Sequence, residues 1–103
     1  MGYTEAAGLP VLREEIAKAY TSVVSEDIVV LAPEEGIFLT LHALLQTGDH
    51  VVVTYPGYQA LYEVARSVGC QISYWQPQLD PDKHMWVFDI DKFEDLMQPN
   101  TKV

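Results

Sequence analysis

The fold is decided by residues 48–58, GDHVVVTYPGY, where a glycine turn leads into a short apolar strand and a second turn carries two tyrosines. The three valines at 51–53 favour a strand over a helix, because side chains branched at Cβ fit a pleated sheet well. An apolar run of this length, bounded by glycine and proline, is typical of a parallel strand covered on both faces. Because ligands of open parallel sheets bind beyond the carboxyl ends of the strands, residues 55–58 are the first place to look for chemistry.

Helical and extended patterns alternate on both sides of this strand. The apolar spacing predicts extended segments at residues 28–31, 71–75 and 86–88, and helices at residues 8–23, 33–46, 58–68 and 90–97. The segment 77–83, rich in proline and aspartate, is expected to be a loop, and residues 98–103 a frayed tail. This order predicts an α/β fold with mostly parallel strands, a partial three-layer α/β/α arrangement that forms one partial domain over residues 1–103.

The second predicted helix is apolar around almost its whole circumference. Its apolar residues are Ile37, Phe38, Leu39, Leu41, Ala43, Leu44 and Leu45. Such a helix is expected to be buried on more than one side, which is natural in the middle of a larger domain. In a chain that stood alone, the same helix would expose an apolar patch and promote self-association.

Composition and charge exclude several classes of function. With 15 acidic and 6 basic residues the chain carries a formal charge of −9, which argues against binding to a nucleic-acid backbone. Its one cysteine, Cys70, indicates the reducing cytoplasm, and no apolar run approaches the roughly 20 residues that cross a bilayer. The histidines His42, His50 and His84 lack ligand spacing, so no metal site is predicted. We interpret His42, His50 and Cys70 as structural residues.

The order of these signals resembles one family, the pyridoxal-phosphate-dependent aminotransferases of fold type I, class I/II. The matching pieces, spread over essentially all of the chain, are Tyr3, Gly8-Leu9-Pro10, Leu12-Arg13-Glu14, Glu35-Gly36-Ile37, Ala43-Leu44-Leu45, residues 48–53, Pro56-Gly57-Tyr58 and Tyr62. The resemblance implies a fragment from the early part of the large cofactor-binding domain, and a homodimeric parent that uses pyridoxal phosphate. It implies amino-group transfer between an amino acid and a 2-oxo acid as the parent's reaction.

The resemblance also implies that no catalytic residue is present. In the family, the lysine that bonds to the cofactor, the aspartate at its pyridine nitrogen and the arginine that binds the substrate carboxylate come later in the chain. The four lysines here, Lys18, Lys83, Lys92 and Lys102, lie outside any context like the family's lysine motif. We therefore expect this chain to be inactive alone, and the sequence does not decide whether it holds the cofactor by itself.

Tyr58 is the first cofactor-binding residue that the resemblance implies, because the family carries an aromatic ring there that stacks on the pyridine ring. Offset stacking between flat rings contributes about 0.5 to 1.5 kcal/mol beyond area burial. The alternative is that Tyr58 is an ordinary residue of the first helical turn, over the core. The resemblance further implies a cis peptide bond between Tyr55 and Pro56.

Two further cofactor contacts are implied, both to the phosphate group. Pro33, Glu34 and Glu35 match the family's phosphate-binding turn at a helix N-terminus, although Pro33 has no N–H and both glutamates are negative. The alternative is that these glutamates complement the helix dipole. Tyr3 matches a tyrosine that reaches the neighbouring subunit's cofactor phosphate, although in a chain that begins at Met1 it is also a candidate for fraying.

A second interpretation is a stand-alone, non-catalytic α/β module that binds itself or another partner through the apolar second helix. A nucleotide-binding domain is disfavoured, because no G-x-G-x-x-G or Walker-type loop follows either early strand.

Overall fold

The computed structural model describes residues 5–103 and divides the chain into two compact units, Met1–Gly36 and Ile37–Val103, which we describe separately. The boundary falls inside the second helix. Among residues 5–103, no helix is both long and apolar enough to cross a membrane. In the same range, no group of three or more His, Cys, Asp or Glu side chains is placed to hold a metal ion.

The first unit contains helix α1 (Pro10–Ala17), a 3-10 turn (Ser25–Asp27) and the start of α2 (Pro33–Leu44). Pro10 occupies the first turn of α1, as predicted, since its missing N–H costs nothing there. The helix is shorter than predicted because the chain tightens after Ala17. The Ala19 and Tyr20 amides bond to carbonyls three residues back, and the helical ladder ends.

Arg13 joins α1 to the segment that follows the 3-10 turn. Its Nε donates to the carbonyls of Ser25 and Ile28 at 3.0 and 2.9 Å, and a second guanidinium nitrogen lies 3.2 Å from the Glu5 carboxylate. The side chain is 11% exposed. The sequence predicts a surface or interface ion pair for Arg13, and the pair with the exposed Glu5 carboxylate confirms it. The two bonds from Nε to backbone carbonyls add a structural role within the first unit.

The predicted strand at 28–31 is wrong. These residues are not in a strand, and Val29 is 57% exposed. A strand requires a neighbour with which to form a hydrogen-bonded ladder. Among the described residues, the backbone bonds of this segment are a local one from the Ile28 amide to Ser25 O and one to a separate segment, from the Val30 amide to Ala7 O, and they form no ladder.

The second unit is built on a pair of parallel strands, β1 (His50–Thr54) and β2 (Gln71–Trp75), paired from His50 with Gln71 to Thr54 with Trp75. Helix α3 (Gln59–Val68) connects them and ends at Gly69, which adopts the left-handed conformation at φ 96°. The predicted central strand, third helix and parallel pairing are all confirmed.

The core of the second unit is formed by residues of α2, β1 and α3 and by residues that closely follow the two helices. Its buried members are Leu41, Leu45, Val51, Val53, Ala65 and Cys70. Val51 and Val53 are core residues as predicted, while Val52 is partly buried. On α2, however, Phe38, Leu39 and Leu44 are 49%, 49% and 59% exposed. Such exposure is expected of an apolar helix in a chain that stands alone, and burial of the helix on more than one side in a larger domain stays a prediction.

The segment after β2 contains a short hairpin. Its first strand lies in the segment predicted as a loop, and its second strand matches the extended piece predicted at 86–88 to within one residue. Strands β3 (Gln78–Asp80) and β4 (Met85–Val87) pair antiparallel. The Asp80 carboxylate accepts the amides of Asp82 and Lys83, both at 3.0 Å, and so fixes the turn. Helix α4 (Ile90–Asp95) follows, and Asp89 caps it as predicted by accepting the Asp91 amide.

Residues 98–103, which we expected to fray, are hydrogen-bonded along β1. The His50 amide donates to Asn100 O, the Lys102 amide to His50 O, and the Val52 amide to Val103 O, all at 2.9 to 3.0 Å. Thr101 forms a parallel bridge with His50. The tail is ordered because the free edge of β1 offers its backbone groups to a third extended segment.

Candidate functional site

The carboxyl ends of β1 and β2 meet at one edge of the second unit, because the two strands are parallel. A cavity of about 490 Å³ opens at this edge. It is lined by Tyr55 and Pro56 after β1, by Gln76 and Pro77 after β2, and by Trp86 on β4. The side chains that line it are mostly apolar, with polar groups at the Tyr55 hydroxyl, the Gln76 amide and the Trp86 indole N–H, so the cavity is suited to flat or apolar groups.

The backbone of the turn after β1 has three specific features: a hydrogen bond to β2, a cis peptide bond and a glycine with no room for a side chain. The Tyr55 amide donates to Trp75 O at 2.9 Å and so continues the parallel ladder by one residue. The Tyr55–Pro56 bond is cis, which confirms the expectation. A Cβ at Gly57 would lie 2.7 Å from the Thr54 carbonyl oxygen, so only glycine fits there without movement of the backbone.

Tyr58 stands at the end of this turn, immediately before α3. Its backbone is extended, its carbonyl accepts the Leu61 amide at 3.1 Å, and the residue is 55% exposed. Tyr58 thus lies just outside the helix with much of its surface open to solvent. It is not among the described residues that line the cavity. The stacking of Tyr58 on the cofactor stays a prediction. An exposed ring is physically able to make such a contact.

The predicted phosphate-binding turn lies at the start of α2 in the first unit. The first bond of this helix runs from the Gly36 amide to Ala32 O at 2.9 Å, so the amides of Glu34 and Glu35 precede the helical ladder. Pro33, Glu34 and Glu35 are all exposed, and the two carboxylates lie in the first turn, where they complement the helix dipole. Phosphate binding there stays a prediction, and Tyr3 lies outside the described residues.

Three of the four lysines make surface ion pairs with acidic side chains in the same segment. Lys18 lies 2.6 Å from Glu15, Lys83 3.2 Å from Asp80, and Lys92 3.8 Å from Asp95. Lys102 is exposed in the hydrogen-bonded tail. Exposed pairs of this kind contribute little to stability.

His50 has a structural role, as predicted, and the structure identifies its hydrogen-bond partners. It is 1% exposed, its Nδ1 lies 2.7 Å from Thr101 Oγ1 and its Nε2 2.8 Å from Ser73 Oγ. The ring therefore joins β1 to β2 and to the tail. No local sequence signal could identify these partners, because Thr101 is 51 residues away.

Cys70 is buried and packs in the core. Burial raises the pKa of its thiol, and the negative charge of Asp49 raises it further. Because the thiolate is the reactive form, this environment is consistent with the structural role predicted for Cys70.

Comparison with known proteins gives the family. The family model of the class I and II aminotransferases matches residues 1–103. The chain belongs to the class I and II aminotransferases. A curated relative is valine–pyruvate aminotransferase from Mycobacterium tuberculosis (strain ATCC 25618 / H37Rv), which is 32% identical over 78 residues. That match covers 70% of this chain and 20% of the relative.

Solved aminotransferase structures share the fold. A PLP-dependent aminotransferase from Streptococcus suis 89-1591 is 31% identical with a TM-score of 0.82, over 97% of this chain and 26% of that protein. Aspartate aminotransferase from Thermus thermophilus, solved with maleate, is 26% identical with a TM-score of 0.81, over 97% of this chain and 27% of that protein. These matches confirm the predicted α/β fold as part of a fold type I aminotransferase, and this chain spans about a quarter of such structures.

Proposed function

We propose that this chain is a fragment that forms the early part of the cofactor-binding large domain of a pyridoxal-phosphate-dependent aminotransferase. The parent protein would transfer an amino group between an amino acid and a 2-oxo acid, as a homodimer. The cofactor, when bound, supplies the electron sink for that chemistry. The proposal places the protein in the cytoplasm, which suits a chain with the single cysteine Cys70.

The observation that carries this proposal is the placement of Tyr58. An exposed aromatic ring stands beyond the carboxyl end of β1, after a turn whose Gly57 leaves no room for a side chain. This is the edge of a parallel sheet where ligands bind, and the ring can stack on a flat heterocycle. Tyr58 would contact the pyridine ring in the parent enzyme and hold it parallel to its own plane.

The phosphate contacts in the proposal come from the first unit. The amides of Glu34 and Glu35 precede the helical ladder of α2, so they are suited to meet an anion at the positive end of the helix dipole. Pro33 would set the backbone direction without donating a bond. The carboxylates of both glutamates would have to point away from the phosphate. Tyr3 would donate its hydroxyl to the phosphate of the neighbouring subunit.

The proposal also states that the lysine that bonds to the cofactor is not one of the four in this chain. Lys18, Lys83 and Lys92 pair with carboxylates on the surface, and Lys102 is exposed. A catalytic lysine instead needs an environment that favours its neutral, nucleophilic form. The chain alone is therefore proposed to be inactive in transamination.

Reductive trapping tests the proposal that none of the four lysines in this chain is the one that bonds to the cofactor. After the chain is mixed with pyridoxal phosphate and reduced with borohydride, intact-mass and peptide analysis are expected to show scattered, partial labelling over the four lysines. Exposed amines react without selection, and the same chain unfolded in urea should give a similar pattern. A single lysine labelled to full stoichiometry in the folded chain only would contradict the proposal.

A second candidate function is a non-catalytic module that self-associates or binds a partner. The observation in its favour is that three large apolar side chains on α2, Phe38, Leu39 and Leu44, are 49%, 49% and 59% exposed. Apolar patches on a soluble surface mark interaction sites when they are contiguous.

For this second candidate, replacing Leu39 with glutamate is expected to shift the chain towards monomer, because a charge would have to be buried in the interface. Light scattering across a range of protein concentrations measures the change. Leu79→Glu, at a residue 56% exposed on the β3–β4 hairpin, is the matched control and should leave the mass unchanged. A wild-type chain that is monomeric at every concentration would rule out self-association.

A further inference from the structure

Three tyrosine rings from separate elements meet beside the turn that carries Tyr58. Tyr55 follows β1, Tyr62 lies on α3, and Tyr74 lies on β2. The ring centroids are 4.9 Å apart for Tyr55 and Tyr74, 5.6 Å for Tyr62 and Tyr74, and 6.0 Å for Tyr55 and Tyr62. All three pairs are tilted or edge-to-face, the geometry that aromatic pairs prefer. We call these three residues the tyrosine cluster.

The tyrosine cluster is fixed from two sides. Tyr62 and Tyr74 pack against the hydrophobic core of the second unit. On the outer side, a guanidinium nitrogen of Arg66 donates to the Tyr74 hydroxyl at 2.7 Å, and the Arg66 guanidinium carbon lies 6.0 Å from the centre of the Tyr62 ring. Glu63 pairs with the same guanidinium and holds it in place.

Two members of the tyrosine cluster flank Tyr58 in the sequence. Tyr55 lies three residues before it and Tyr62 one helical turn after it, and both rings rest on Tyr74. The bonds from the Tyr55 amide to Trp75 O and from the Leu61 amide to Tyr58 O tie the two ends of the turn to β2 and α3. Tyr58 itself is more than half exposed, so its own packing does not set the direction of its ring.

We propose that the tyrosine cluster positions Tyr58. Tyr55, Tyr62 and Tyr74 act as positioning residues that hold the turn 55–58 at one angle to the sheet, with Arg66 closing the cluster on its solvent side. Tyr58 then presents its ring in a preorganised direction, which lowers the ordering cost of stacking on a flat ligand. The ligand side of this inference rests on the proposed function, whereas the rigidity of the turn does not.

Amide hydrogen exchange of the full chain tests the rigidity. In Tyr74→Leu the amides of Tyr55 and Leu61 are expected to exchange about ten-fold faster, because two aromatic contacts that hold the turn are lost. The Leu45 amide, which bonds to Leu41 O in the same unit, reports general destabilisation and should change much less. Tyr74→Phe keeps the ring contacts but loses the hydrogen bond from Arg66, so its amides should exchange at rates much closer to the wild type than those of Tyr74→Leu. Tyr20→Leu, at an exposed tyrosine in the other unit, is the control.

Tyr62→Leu repeats the test from α3 and decides the question if Tyr74→Leu does not fold. Equal acceleration at Tyr55, Leu61 and Leu45 in the variants that fold would mean that the cluster only stabilises the unit, and it would overturn the positioning role. Unchanged exchange would overturn it as well.

A second readout uses pyridoxal phosphate as the probe. The circular dichroism that the wild-type chain induces in the cofactor's absorption band is expected to be lost in Tyr74→Leu and kept in Tyr74→Phe, because the signal depends on how the ring is oriented. If the wild-type chain induces no such signal, the proposed cofactor contact fails, and the exchange experiment still decides whether the cluster holds the turn. An induced signal that survives in Tyr74→Leu would overturn the orienting role.

Discussion

Replacing His50 with alanine is expected to lower the free energy of unfolding by about 3 kcal/mol, the largest effect of any change considered for this chain. The imidazole is 1% exposed and bonds to Thr101 Oγ1 and Ser73 Oγ, at 2.7 and 2.8 Å. Its removal leaves a cavity and two hydroxyl groups without this partner. Urea unfolding followed by circular dichroism measures the loss.

The hydrogen bonds around His50 form one continuous chain. Thr101 Oγ1 accepts the Gln98 amide at 2.8 Å, so its own proton is available for His50 Nδ1, and the Nε2 proton can then be donated to Ser73 Oγ. In this tautomer both ring nitrogens of His50 and the Thr101 hydroxyl have hydrogen-bond partners. The His50→Ala variant should therefore also release the tail, which would be seen as faster exchange of the Val52 amide that bonds to Val103 O.

The matched control for this prediction is His42→Ala. His42 lies exposed on α2, and its contacts given by the structure stay within that helix: Nδ1 lies 2.8 Å from the Phe38 carbonyl oxygen, and the two ring centroids are 4.0 Å apart. Substitution at such a position changes stability by about 0.5 kcal/mol or less. Similar losses in both variants would show that the buried bridge contributes nothing of its own.

The parts of the fold that local sequence encodes were predicted well. The valine run of β1, the left-handed Gly69 after α3 and the Asp89 cap of α4 each depend on residues within one or two turns of one another. The parallel pairing of β1 with β2 followed from the helix between them, since a crossover helix brings the next strand beside the first.

The parts that depend on distant partners were not predicted. Residues 28–31 have the composition of a strand but no ladder in the described chain, so composition alone gave the wrong result. The tail has no local strand signal, and it pairs because β1 offers a free edge, with Thr101 bridging to His50 51 residues earlier in the chain. The exposure of Phe38 and Leu39 on α2 likewise depends on what surrounds the helix, which a helical pattern does not contain.

In the candidate site, too, the locally encoded features were predicted and those that depend on distant residues were not. The resemblance to aminotransferases gave the position of Tyr58 and the cis bond after Tyr55, because both are tied to a short motif. The tyrosine cluster was not predicted, since Tyr74 lies on the neighbouring strand and reaches Tyr55 only through the register of the sheet. Motif recognition therefore gave the residue that would contact the cofactor, and the structure was needed for the residues that support it.

Replacing Tyr58 with alanine is expected to weaken binding of pyridoxal phosphate to the chain about ten-fold. Loss of ring stacking removes about 0.5 to 1.5 kcal/mol beyond the buried area, and 1.4 kcal/mol corresponds to a factor of ten in affinity. Tyr58→Phe keeps the ring and should bind as the wild type does. Tyr20→Ala removes an exposed tyrosine, 61% accessible, from the other unit and should have no effect.

The measurement that tests the central claim most directly is an NMR titration of the isotopically labelled chain with pyridoxal phosphate, followed at the amides of Gly57 and Tyr58. Saturable shifts centred on residues 55–58 are expected, with an apparent affinity that falls about ten-fold in Tyr58→Ala and is kept in Tyr58→Phe. Shifts that lie elsewhere in the chain, or that are unchanged in Tyr58→Ala, would contradict it.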